Sequence, residues 1–117
     1  MFPTRDYTIV GDYPGAPEDA PVWFSHKLVR ELSILAQDIP SVIPVMLAMT
    51  AGVVDGHAVE ITQAEVALRC NVTIQEVRRA VGKLSRAGLI SDVEMSAEPQ
   101  GMISCLMGLG YDLCMRG

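Results

Sequence analysis

Ile61-Thr62-Gln63-Ala64-Glu65-Val66-Ala67-Leu68-Arg69-Cys70-Asn71-Val72-Thr73-Ile74-Gln75-Glu76-Val77-Arg78-Arg79-Ala80-Val81-Gly82-Lys83-Leu84-Ser85-Arg86-Ala87-Gly88-Leu89-Ile90 is the stretch from which the fold is read. Thr62 and Glu65 have the spacing of a capping box, in which a hydroxyl and a carboxylate satisfy N–H groups left free where a helix begins. Thr73 and Glu76 repeat that spacing eleven residues later. Two helix starts so close leave room only for a two-turn helix and a three-residue turn, Cys70-Asn71-Val72. Asn71 tolerates the left-handed conformation that such a turn needs. The second helix carries an apolar stripe of Val77, Val81 and Leu84, with Ile74 and Ala80 beside it, and Gly88 stands where it should end. Its other side presents Gln75, Arg78, Arg79, Lys83 and Arg86. Leu89-Ile90 then reads as a short strand, Ser91 to Gln100 as a polar loop, and Gly101 to Leu106 as a return strand.

Upstream, Leu28, Leu32 and Leu35, with Val29 and Ala36, recur at helical spacing behind Ser25 as a cap. A second short helix fits Ser41 to Thr50, with Ser41 as cap and Pro44 near the first turn, where proline is tolerated. Asp55-Gly56 marks a tight turn, and Ala58-Val59-Glu60-Ile61 reads as a short strand. The first 21 residues hold Pro3, Pro14, Pro17 and Pro21, four of the seven prolines, and set Asp6, Asp12, Glu18 and Asp19 against Arg5. Such a stretch cannot sustain a helix. Residues 1–24 are therefore expected to form an extended arm, in which Tyr7-Thr8-Ile9-Val10 can add an edge strand, and residues 25–117 a single domain.

The 117 residues are 50% hydrophobic and 5% aromatic, enough for one core and better suited to helix packing than to a β-sandwich. The longest apolar run, Val42 to Val54, is shorter than the roughly 20 residues of a membrane span and is broken by Pro44, Thr50 and Gly52. Met1 to Asp6 has neither a basic start nor an apolar run behind it, so no secretory leader is expected. Cys70, Cys105 and Cys114 lie in apolar surroundings without a Cys-x-x-Cys pair, which predicts reduced core thiols and a cytoplasmic protein. His26 and His57 are isolated and read as exposed structural residues. The seven methionines read as core filler. No paired carboxylates, nucleophile elbow or phosphate loop occurs, so neither catalysis, a metal nor a cofactor is expected.

Charge is unevenly spread. The chain carries a net −5, but residues 60–90 hold five bases against three acids, a net +2 beside −7 for the remainder. A helix fits the major groove of double-stranded DNA and meets base edges with its early residues. Thr73, Gln75, Arg78 and Arg79 are the candidates for that role. Gln pairs with adenine and Arg with guanine in bidentate fashion, each worth ~1–3 kcal/mol of discrimination. Lys83 and Arg86, further along, are candidates for phosphate contacts. Thr62 and Gln63 are placed to offer backbone N–H groups to another phosphate at the first helix's N-terminus.

The motifs Ile-Thr-Gln-x-Glu-Val-Ala, Val-Thr-x-x-x-Val-Arg-Arg and Leu-x-x-Ala-Gly-Leu-Ile resemble winged helix-turn-helix DNA-binding domains of bacterial regulators. The resemblance covers about thirty residues closely and about ninety loosely. It implies a mainly α fold with a small β-wing, and a transcriptional regulator or repressor that binds an operator. The helices before Gly52 also resemble those of small plasmid replication initiators. One winged helix reads few base pairs, so a homodimer is expected, with Val22-Trp23-Phe24 and Leu106 to Met115 as candidate interfaces. Glu94 and Glu98 make the loop acidic, unlike the wing of many regulators. Two alternatives remain open: a plasmid or phage replication initiator, and a winged-helix module whose acidic surface docks a protein partner.

Overall fold

The computed structural model describes residues 7–10, 22–55, 57–98, 100–108 and 111–113. Its centre is the segment Val42–Thr50. This run is apolar on every side, so it is stable as a helix only when surrounded. It forms such a helix (α2), with seven of its nine residues buried. Ser41 occupies the N-cap position without a side-chain hydrogen bond. One reason is that Pro44, at the third helical position, has no N–H to offer.

Around α2 pack the helices His26–Ala36 (α1), Gln63–Cys70 (α3) and Ile74–Arg86 (α4). α1 turns Leu28 and Leu32 inward, and the Ser25 hydroxyl accepts the Leu28 N–H at 3.1 Å, as its sequence predicts. Asn71 joins α3 to α4 in the left-handed conformation, φ 56°.

The helices rest on an antiparallel sheet. Val53–Asp55 (β3), Ala58–Thr62 (β4), Ile90–Met95 (β5) and Met102–Met107 (β6) lie in the spatial order β3-β4-β6-β5. Val59 sits opposite Cys105, Ile61 opposite Ile103 and Ile90 opposite Met107, and all six are buried toward the helices. Glu60, Ser91 and Leu106, on the other side of the pleat, are exposed. A second sheet, in the order β1-β2-β7, combines Tyr7–Val10 (β1), Val22–Ser25 (β2) and Tyr111–Leu113 (β7).

The chain is thus mixed α/β, and two expectations change. Strand content exceeds that of a mainly α fold with a small wing. The second sheet pairs Val22 with Leu113, a partnership that local patterning does not reveal. The strand after α4 continues to Met95, through residues expected to be loop. Asp92 has φ 53° and the β5–β6 register shifts between Ser91 and Glu94, a bulge that hides the alternation by which a strand is recognised.

Tyr7–Val10 is an edge strand, as expected. The remainder of the arm, 1–6 and 11–21, lies outside the described residues, and β2 runs across the boundary drawn at 24/25. The two candidate dimer segments contribute β2 and β7, which pair with each other within the chain, and Phe24 is buried. Among the described residues no helix is long and apolar enough to cross a membrane.

Candidate nucleic-acid interface

α4 is built to present one face. Its capping box is complete: the Glu76 N–H donates to Thr73 Oγ1 at 3.1 Å and the Thr73 N–H to Glu76 Oε1 at 3.3 Å. Val77, Ala80, Val81 and Leu84 are fully buried against the core. At 100° per residue, Gln75, Arg79, Gly82 and Arg86 then fall within about 60° of one another, opposite the buried stripe. Gln75, Arg79 and Arg86 are exposed. Gly82 has a helical backbone, and a Cβ placed on it meets nothing within 4 Å. Glycine there costs about 1 kcal/mol relative to alanine. The helix ends at Arg86, and Gly88 turns the chain into β5 with φ 78°, a conformation that disfavours a Cβ.

The five bases of this region divide into two groups. Arg69 Nε pairs with Glu65 Oε2 at 2.7 Å, one turn away on α3. That pairing draws the Glu65 carboxylate to Arg69, whereas the other half of the predicted box stands, with Thr62 Oγ1 accepting the Glu65 N–H at 3.0 Å. Lys83 lies on a flank of α4 and pairs with Asp38, in the α1–α2 connection, at 3.0 Å. Arg78 lies on the opposite flank and is engaged by the β5–β6 loop. Among the described residues Arg79 and Arg86 have no ion-pair partner. The freely presented positive charge of α4 is therefore two arginines.

Gln63 requires a correction. Neither its N–H nor its amide faces solvent, because the hairpin loop closes over the start of α3. Its side chain is fully buried. Nε2 donates to the Ser96 carbonyl at 2.7 Å and to the Glu98 carbonyl at 3.2 Å, while Oε1 accepts from Arg78 Nε at 2.9 Å. The Gln63 N–H donates to the Gly101 carbonyl at 2.9 Å. Arg78 Nη2 adds bonds to the Ser96 and Ala97 carbonyls. One buried amide and one guanidinium thus gather the carbonyls of Ser96, Ala97 and Glu98 onto the α3–α4 pair. Gly101 is obligatory in this arrangement, since a Cβ there would overlap the Ser96 side chain. The inward direction of Gln63 is legible in the sequence, because it shares the i, i+3, i+7 face of Val66 and Cys70. Nothing local announces its partners, 33 and 35 residues away.

The predicted residues therefore separate by geometry. Gln75, Arg79 and Arg86 are brought together on the exposed stripe. The hydroxyls of Thr62 and Thr73 cap helices, Gln63 and Arg78 hold the hairpin loop, and Lys83 is paired at the flank.

Cys70 and Cys105 are buried free thiols, and burial raises both from 9.0 to about 11, with Arg69 opposing the rise at Cys70. Cys114 lies outside the described residues. Among the described residues no cluster of His, Cys, Asp or Glu is placed to hold a metal ion. Comparison with protein families, with characterised proteins and with solved structures finds no match for this chain.

Proposed function

We propose that the chain is a winged helix-turn-helix protein that binds double-stranded DNA sequence-specifically as a homodimer and acts as a transcriptional regulator. In this reading β4, α3, α4 and the β5–β6 hairpin are the winged-helix unit, α4 is the recognition helix and the hairpin loop is the wing. The observation that carries the reading is the exposed stripe of Gln75, Arg79 and Arg86 on a helix with a complete capping box whose other face is fixed in the core. Gln75, in the first turn, reads a base edge, and Arg79 contacts a base or phosphate one turn later. Arg86 contacts phosphate. Arg78 acts through the wing it holds.

Glu98 on the wing and Glu94 on the strand leading into it are repelled by phosphate, so recognition rests on α4. The same observations that lower the free cation count favour one second reading, a protein-docking module in which α4 meets an acidic partner. Selection of bound sequences from a randomised duplex library separates the two. Enrichment of a two-fold-symmetric site, with binding lost in Arg79→Ala/Arg86→Ala at unchanged melting temperature, is expected. No enrichment at low salt would sink the DNA reading. The genomic setting of the enriched site, beside a promoter or within origin repeats, then distinguishes a regulator from a replication initiator.

A further inference from the structure

Gly82 is the one member of the α4 stripe that carries no side chain, and its role as inferred below the level of the fold rests on the DNA-binding proposal. The other four glycines among the described residues have an evident structural reason. At Gly52, Gly101 and Gly108 a Cβ would run into neighbouring atoms, and Gly88 has a positive φ. Gly82 has neither reason: its backbone is helical and the space a Cβ would enter is open. Nothing among the described residues calls for glycine there, and glycine weakens the helix that contains it. Its neighbours on the stripe are Gln75, Arg79 and Arg86, all exposed and polar. Two of these three neighbours are cationic, which suits an anionic phosphate strand beside the glycine.

We propose that Gly82 is where α4 lies against a sugar–phosphate strand of the bound duplex. The missing side chain lets the helix backbone approach the strand closely. Arg79 and Arg86, one turn to either side and about 10.5 Å apart along the axis, then reach phosphates flanking the crossing. A side chain at position 82 would hold the helix off and withdraw both arginines together.

The test uses the full chain and a fluorescein-labelled duplex selected on the wild-type protein, with Gly82→Ala and Gly82→Leu read by anisotropy and thermal melting. Gly82→Ala is expected to melt about 2–8 °C higher, since only helix propensity changes within the molecule. It should bind about threefold more weakly, and Gly82→Leu at least about tenfold more weakly. Gly82→Leu binding as tightly as wild type overturns the inference. If that variant melts below wild type, Gly82→Ala decides alone, and unchanged affinity overturns the inference. Loss of self-association in Gly82→Leu at unchanged DNA affinity assigns the glycine to a protein contact and overturns it too. If Arg79→Ala/Arg86→Ala weakens binding while both Gly82 variants bind normally, this inference alone falls. If the wild type enriches no duplex, the DNA-binding proposal falls with it.

Discussion

Replacing Gln63 by leucine tests the tie between the hairpin loop and the helices. Leucine fits a buried site of similar size but makes none of the three side-chain hydrogen bonds of Gln63. Such bonds contribute about 0.5–1.5 kcal/mol each, and more where the partner is charged, as Arg78 is. Ser96 and Glu98 are exposed and Arg78 is half-buried, so water replaces part of what is lost. The leucine side chain also gains from burial. The balance is a destabilisation of about 2 kcal/mol, or about 8 °C in melting temperature for a domain of this size. Thermal melting gives the global value. Hydrogen exchange locates it, because the Gly101 N–H, bonded to the Glu98 carbonyl at 2.9 Å, and the Gln63 N–H should both lose protection. A Gln63→Leu variant melting within about 2 °C of wild type, with both amides still protected, would refute the assignment of Gln63 as the residue that holds the loop.

The charges and thiols offer two further perturbations. Asp38→Asn releases Lys83 from a largely exposed pair, so stability should change by less than about 1 kcal/mol in urea unfolding. The freed ammonium should steepen the salt dependence of DNA binding by about 0.9 per protomer, measured by anisotropy across a salt series. For Cys70 and Cys105 the folded-state value of about 11 lies above the ordinary thiol value of 9.0. The unfolded chain therefore loses these protons first, and folding stability falls as pH rises from about 9 to about 11, by on the order of 2 kcal/mol per thiol. Below pH 9 neither thiol contributes a pH dependence. Urea unfolding at pH 8 and pH 10.5 should show Cys105→Ala losing less stability over that interval than wild type does.

Local signals carried the helical part of this structure. Two threonine–glutamate spacings located α3 and α4, Asn71 supplied the left-handed turn, and Gly88 marked the end of α4. These features depend on atoms within four residues of one another, so the chain states them directly. Arg78 and Lys83 were less legible. Their positions on α4 are correct from periodicity, but what they touch is set by segments brought in from elsewhere, Ser96 and Ala97 for one and Asp38 for the other. The count of five bases over residues 60–90, four of them on α4, consequently overstated the charge that this region offers to a ligand. The Asp92 bulge concealed the length of β5, and the β2–β7 pairing joins distant parts of the chain. Tertiary closure decided each of these, and it reduced the exposed candidate site to Gln75, Arg79 and Arg86, around a glycine.

The salt dependence of wild-type binding to its selected duplex tests the central claim most directly. With Arg79 and Arg86 as the phosphate-facing cations, the slope of log K against log salt should be about −2 per protomer and about −4 for a dimer. A dimer slope near −9 would mean that all five bases of each protomer reach phosphate, against the pairings of Arg69, Arg78 and Lys83. No measurable affinity at low salt would contradict DNA binding itself.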